Sequence, residues 1–390
     1  MSNIAILGYN IFGIGGTSRS NLNLITEFTH TGHLVNYYNY VSFSKQDVET
    51  LKKQLSINEN VSFHFFPALY DLIPHGEYDY IFLTREDFFP LAKILRNVYP
   101  HAIIIGEIHT PLTLLPQTLG ELESFSCIRV ATPSIKRAFK QRYHFDRIYV
   151  QTVSLAHLKW KFLKNQISNS NLLIRSRFDE SQKDIHYALK LMSQLVNQKI
   201  HSEFMLYLVG KGPDKSKYRN WIKKDNLTAN VFINSKNLPQ NYTCLSTAKV
   251  ETLGYSIAES IANGHRVIAY RGDDDVIYEN FSKVPLITWI TKDLATDCAT
   301  VLKTINKVPT KEEFLASKEI ITSLAGNYVA QLDSNTAQFK HYPFKATELT
   351  ATDVQQIRVS IEKKLGPSIV SWYIKVYRRI KKYFFKTKFY

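Results

Sequence analysis

Cysteine is scarce: three in 390 residues, Cys127, Cys244 and Cys298, far apart and odd in number. That argues against a disulfide framework, and the lack of metal-ligand spacing argues against a zinc site, so a reducing, intracellular setting is expected. No apolar run is long enough to span a bilayer, and the opening "MSNIAILGYN" lacks the basic region and long apolar core of a secretory signal. The expected location is the cytoplasm. Internal repeats and low-complexity tracts are absent as well. Acidic residues are in short supply, 34 Asp and Glu against 49 Lys and Arg, for a net charge of +15. A surplus of that size implies an anionic partner: nucleic acid, a phosphorylated substrate or a membrane surface.

What is present is a folded, soluble composition, 44% hydrophobic and 21% charged, in a chain suited to two domains of about 150 to 200 residues each. The first stretch reads as a buried strand ("NIAILGYN"), a glycine-rich turn ("FGIGGTSRS") and an apolar-periodic helix that ends near Gly32. Further strands are predicted at "LVNYYNYV", "VSFHFF", "YDYIFLT", "AIIIGEI" and "CIRVATP", with helices such as "QDVETLKKQL" and "FPLAKILRNVY" between them. Alternating β and α favours a mostly parallel sheet with helices on both faces. The polar passage "KFLKNQISNSN" reads as the inter-domain connection. A second α/β series follows, through "LLIRSRF", "KDIHYALKLMSQLVNQ", "FMLYLVG", "KYRNWIKKD", "ANVFIN", "YTCLSTA" and "RVIAY". Two Rossmann-like halves of this kind place ligands at the carboxyl ends of their strands. The predicted limits are 1–160 for the first domain, 168–345 for the second and 346–390 for a C-terminal helical segment.

"VETLGYSIAESIANGHRVIAY", residues 250 to 270, places Glu251 and Glu259 around a strand-to-helix turn. Two readings stand. In one, Ser256 and Glu259 form a capping box and Gly264 ends the helix as a left-handed cap. In the other, the helix N-terminus at Gly254, Tyr255 and Ser256 holds a diphosphate while the two carboxylates accept hydrogen bonds from the diols of two sugars. A nucleotide sugar has a diol at each end and a diphosphate between.

These residues resemble the E-x7-E signature of retaining glycosyltransferases of family 4, which have the GT-B fold. The usual run there is Glu-Gly-Phe-Gly, apolar positions, Glu-Ala and a Gly-x-Pro-Val-Ile-Ala strand; here stand Glu251-Thr-Leu-Gly254, Glu259-Ser and Gly264-His-Arg-Val-Ile-Ala269. Thr252, Ser260 and Arg266 depart from the glycine, alanine and proline common in the family. The resemblance extends to about residue 345. It implies that the turn with Gly13, Gly15 and Gly16 faces the donor phosphates and the acceptor, that His109 in "EIHTP" lies near the transferred sugar, and that Arg177 and Lys183 in "IRSRFDESQKD" hold the diphosphate. The Arg-to-Lys spacing is one residue longer than usual, so Arg175 competes with Arg177. Gly210, Gly212 and Pro213 match an architectural turn, and residues 234 to 238 fall where the nucleobase pocket forms.

The resemblance thus implies an α/β, GT-B architecture of two Rossmann-like domains facing across a cleft. It implies retaining transfer from a nucleoside-diphosphate sugar, UDP-glucose or UDP-N-acetylglucosamine, to a cell-surface polysaccharide, polyol-phosphate (teichoic acid) or lipid-linked acceptor. It also implies no cofactor and no metal, cationic side chains taking that role; Asp273-Asp274-Asp275 reads as a solvated run at a helix start. From Pro367 the chain carries Lys375, Arg378, Arg379, Lys381, Lys382, Lys386 and Lys388 among aromatic residues, with no acid. This tail points to an anionic membrane surface or to a last helix crossing back on the first domain; no nucleic-acid motif accompanies it. Two other classes stay open: a catalytically silent GT-B partner that steadies an active transferase, and a nicotinamide-dependent oxidoreductase, which "GIGGTSR" disfavours because it is not G-x-G-x-x-G.

Overall fold

The computed structural model describes residues 1–367 apart from 14, 58, 59, 71, 73, 165–169, 198–203, 341, 343 and 345–347. The chain divides into two compact units: Met1–Ala156 together with the chain from Asn327 onward, and His157–Gly326. The sequence draws these borders at 160 to 168 and at 345. Packing accounts for the observed division. Lys161 N donates to Ala262 O at 2.7 Å, and Trp160 and Phe162 pack on Phe314 with ring centroids 6.0 and 5.5 Å away, so the polar passage begins inside the second unit. Past Asn327, Tyr328 sets its ring edge against Phe28 in the core of the first unit.

The first unit holds seven parallel strands: β1 (Asn3–Gly8), β2 (Leu34–Asn39), β3 (Val61–Phe65), β4 (Tyr80–Leu83), β5 (Ile103–Glu107), β6 (Cys127–Val130) and β7 (Ile148–Val150). Their order is β3-β2-β1-β4-β5-β6-β7. Every residue of β4, β5 and β6 is buried, as expected of parallel strands covered on both faces, and this is why they read as apolar runs, interrupted only by Glu107 in β5 and Arg129 in β6. Helices start where the sequence supplies a cap. Ser44 closes a capping box with Asp47 before Lys45–Leu55, and Thr132 accepts from Ile135 N before Pro133–Tyr143, which has proline in its first turn.

The second unit holds six parallel strands: β8 (Asn171–Arg175), β9 (Met205–Val209), β10 (Val231–Ile233), β11 (Thr243–Ser246), β12 (Val267–Tyr270) and β13 (Ile287–Ile290), in the order β10-β9-β8-β11-β12-β13. The strand β13 extends the sheet beyond "RVIAY", where the sequence series stops. In each sheet the order reverses once, beside β1 in the first and beside β8 in the second. Loops leaving the carboxyl ends of strands at such a switch point are where open α/β sheets place ligands. The turn after β1 and the loops after β8 and β11 therefore occupy the ligand positions of such sheets. Arg266, at the proline position of the family pattern, is buried and staples β12 to a neighbouring helix: its Nε donates to Lys307 O at 3.0 Å and its guanidinium pairs with Glu313 at 2.5 Å.

Candidate functional site

In the second unit, β8 runs into a loop that carries Arg177 and then into the short helical turn Glu180–Lys183. Two glycines hold that loop. A Cβ on Gly210 would lie 1.8 Å from Ser176 O and one on Gly212 2.3 Å from Phe178 O, both backbone atoms. The approach lets Ser176 N donate to Val209 O at 3.1 Å and Phe178 N to Lys211 O at 2.9 Å. The "GKG" turn is thus a cradle for the Arg177 backbone. The Arg177 side chain is largely exposed, with Nε 3.7 Å from Asp179 Oδ2, and Arg175 is exposed at the end of β8.

The loop after β11 is stitched to the same turn. Thr247 Oγ1 lies 3.0 and 2.9 Å from the carbonyls of Lys183 and Asp184, and Lys249 N donates to Gln182 O at 2.8 Å. These contacts bring Lys183 Nζ onto Glu251 Oε1 as a close ion pair. Asp184 takes Lys292 at 2.7 Å and Lys249 at 3.9 Å, so three lysines and two carboxylates share the carboxyl end of this sheet.

The chain then turns at Gly254, whose φ of 96° is costly for any residue with a Cβ, and enters the helix Tyr255–Ala262. Gly254 is the N-cap. Ser256 lies inside the first turn, so the capping box read from the sequence does not form, and Glu259 has no capping duty. The helix ends as expected: Gly264 has a φ of 82°, just past its last turn. Glu259 instead meets His157, Nε2 to Oε1 at 3.1 Å, and the His157 ring stands edge-on to Tyr255 at 5.5 Å. No motif marks His157. Among the described residues no hydrogen bond or ion pair joins Glu259 or Arg177 to the Lys183–Glu251 pair.

The aspartate run is a helix start. Asp274 Oδ1 accepts from Val276 N at 3.3 Å, Asp275 is the N-cap of Val276–Phe281 and pairs with Arg271, and burial pushes the Asp274 carboxyl up to about 6. Among the described residues no group of three or more His, Cys, Asp or Glu is placed to hold a metal ion.

In the first unit, Gly15 is the N-cap of the helix Gly16–His30; Gly15 and Gly16 are exposed, and a Cβ on Gly15 would meet nothing within 4 Å. The turn before it is shaped by two asparagines. Asn39 Oδ1 accepts from Ile11 N at 2.8 Å, Asn10 Oδ1 from Phe12 N at 3.1 Å, and Asn10 O from Ser18 Oγ at 2.6 Å. Beneath it lies a buried polar cluster, Asn21 to Tyr37 (3.0 Å) and Thr84 (2.9 Å), into which a Cβ on Gly8 would intrude. His109 follows β5. Its Nε2 is 2.7 Å from Glu107 Oε2, while Glu86 Oε1 accepts from the backbone N–H of both His109 and Thr110 at 2.8 Å.

The model for "Glycosyl transferases group 1" matches residues 159–275. That span contains Arg177, Lys183, Glu251, Gly254, Tyr255, Ser256 and Glu259. No curated protein matches. Several solved structures resemble the whole fold. A mutant of S. aureus TarM, in complex with Fondaparinux, alpha-GlcNAc-glycerol and UDP, is 12% identical over 88% of this chain and 100% of its own, with a TM-score of 0.65. Anabaena Alr3699/HepE, in complex with UDP and glucose, is 14% identical over 86% and 100%, also at 0.65. The pneumococcal O-GlcNAc transferase GtfA, in complex with UDP and GlcNAc, is 10% identical over 87% and 99%, at 0.60. The fold is therefore α/β with two Rossmann-like units, that of GT-B glycosyltransferases.

Of the residues singled out in the sequence, the structure joins Lys183 to Glu251, sets Gly254, Tyr255, Ser256 and Glu259 on one helix start, and places Gly15, Gly16 and His109 at the carboxyl ends of β1 and β5. The basic aromatic stretch expected to meet a membrane lies, past Pro367, outside the described residues. No described helix is long and apolar enough to cross a membrane.

Proposed function

We propose that the protein is a retaining glycosyltransferase that moves a hexose or N-acetylhexosamine from a UDP-linked donor to a polysaccharide, polyol-phosphate or lipid-linked acceptor, forming an α-glycosidic bond. The observation that carries this reading is the Lys183–Glu251 pair beside the Gly254 helix start, inside the segment that matches the glycosyltransferase model. Uridine is favoured because TarM, HepE and GtfA are each described as bound to UDP.

Transfer breaks the bond from the anomeric carbon to the diphosphate and forms one from the acceptor oxygen on the same face; the acceptor proton passes to the departing diphosphate. The difficulty is the negative charge growing on the leaving group. Fixed cations and N–H dipoles aimed at that charge act most strongly in the transition state. We assign this role to Arg177, Lys183 and the backbone at Gly254, Tyr255 and Ser256, with no cofactor. Glu251 positions the transferred sugar and Glu259 holds the ribose. Gly15, Gly16 and His109 serve the sugar and acceptor side, and residues 367–390 contact an anionic membrane on its cytoplasmic face.

The test is thermal unfolding of the full chain with UDP, GDP, ADP, UDP-glucose and UDP-N-acetylglucosamine. A selective rise with UDP and one of its sugars supports the reading and names the donor. Cooperative melting with no rise for any ligand would overturn it in favour of a silent partner protein.

A further inference from the structure

The His109 turn is held by two buried carboxylates, and one of them belongs to an ionic cluster that the proposed chemistry does not use. Glu107, the last residue of β5, is fully buried. Arg129, its register partner on β6, is fully buried too, with Nε 3.7 Å from Glu107 Oε1. The same oxygen accepts from the Tyr328 hydroxyl at 2.6 Å. Tyr328 opens the helix Tyr328–Thr336, where the chain has returned to the first unit. Burial works against the charge on Glu107, but Arg129, His109 and Tyr328 outweigh it and hold the carboxyl well below its usual range. An ionised carboxylate only accepts, so the hydrogen between Glu107 and His109 sits on Nε2.

We propose that Glu107 is a positioning residue for His109, fixing the ring in its Nε2–H form and orientation, and that Tyr328 keeps Glu107 aimed at it. Each oxygen of Glu107 has its own task. Oε2 holds the ring, and Oε1 is anchored by Tyr328 and Arg129. Glu86 meanwhile fixes the backbone: besides the two N–H groups, its Oε2 accepts from Thr110 Oγ1 at 2.9 Å. Ring and backbone are thus set by separate carboxylates, an arrangement suited to a group that must meet a ligand in one orientation. This inference rests on the reading of His109 as a sugar-side residue.

The experiment uses the full chain labelled with 15N-histidine, and the His109 signals are assigned by their absence in His109→Gln. Tyr328→Phe removes one hydroxyl and leaves the Glu107–Arg129 charge balance and the ring packing intact. Glu107→Gln is the stronger, less conservative variant. In the native chain the ring nitrogens should report a single Nε2–H form; in Tyr328→Phe they should report a mixture of forms or exchange broadening. With UDP-glucose or UDP-N-acetylglucosamine, whichever the native chain turns over, kcat of Tyr328→Phe should fall about tenfold with KM little changed. An unaltered His109 signature in both variants, with only a lower melting temperature, would overturn the proposal and leave Glu107 a core ion pair. A shifted signature with unaltered kcat, or unaltered kcat in His109→Gln, would overturn the positioning role. If no donor binds at all, the glycosyltransferase reading fails on its own test, whereas the ring signature still decides what Glu107 does to His109.

Discussion

Replacing Glu259 by Gln separates ribose binding from helix stability, because the helix starts without Glu259. Gly254 supplies the cap, and the Glu259 side chain, one third exposed, has His157 as its partner at 3.1 Å. The glutamine carbonyl still accepts from that imidazole, so the unliganded stability should change by no more than about 0.5 kcal/mol. Binding is a different matter. Hydrogen bonds to a charged acceptor contribute about 1.5 to 3 kcal/mol against about 0.5 to 1.5 for neutral ones, so the UDP dissociation constant should rise about tenfold. UDP at about 100 times the native dissociation constant adds about 2.7 kcal/mol to the native protein, and the same concentration adds only about 1.4 kcal/mol to the variant. For a unit the size of His157–Gly326, each kcal/mol moves the melting point by about 2 to 4 °C. The ligand-induced rise should therefore fall by about half. Tryptophan fluorescence is a suitable readout: Trp160, Trp221 and Trp289 lie in the second unit, and residues 1–156 contain none. Equal rises for both proteins would refute the ribose contact; a drop in the unliganded variant well beyond 0.5 kcal/mol would return Glu259 to a structural role.

Three further outcomes are expected. Burial pushes the His265 imidazole down to about 4, so its neutral form stabilises the fold fully above pH 6.5 and that contribution, about 3 kcal/mol, is lost as pH falls through 4. Asp274, raised to about 6, has the opposite sign over part of this window, so the check is the difference in denaturant stability between native and His265→Phe, which should shrink from pH 7 to pH 4. Gly210→Ala forces a Cβ onto Ser176 O and should cost more than about 2 kcal/mol in urea unfolding while weakening UDP binding through the Arg177 loop. Gly15→Ala meets open space at an extended φ, so it should leave the melting point unchanged or slightly higher while lowering turnover with the donor that the binding panel selects.

The fold was legible where its elements obey local rules. Buried parallel strands announce themselves as apolar runs, and glycine followed by a periodic helix marks the first β-to-α turn. The strand β13, "ITWI", is not legible in this way, because it is mostly half-buried and its apolar run is broken by Thr288. The capping box failed for a different reason: serine and glutamate at the right spacing are sufficient for a cap only if no glycine with a left-handed φ takes the position first. The glutamates, Lys183 and His109 were found by pattern. His157, Glu86 and Tyr328 were not, since each reaches its partner across more than 20 positions of chain and belongs to no motif. One signal was available: Glu107 and Arg129 each interrupt an apolar run, and opposite charges at the ends of neighbouring buried strands are expected to meet.

Tyr328 reaches the Glu107 cluster from beyond the whole second unit, and this has a consequence for synthesis. A ribosome that has made β5 and β6 must translate His157–Gly326 before the tyrosine exists, roughly 9 to 34 seconds at about 5 to 20 residues per second. Through that interval the nascent first unit lacks the hydroxyl partner of its glutamate and arginine, and at its end the second unit is complete in sequence while the returning helix Tyr328–Thr336 is still to be made. The inserted unit is thus free to mature first, and the host unit finishes only when the returning chain locks it.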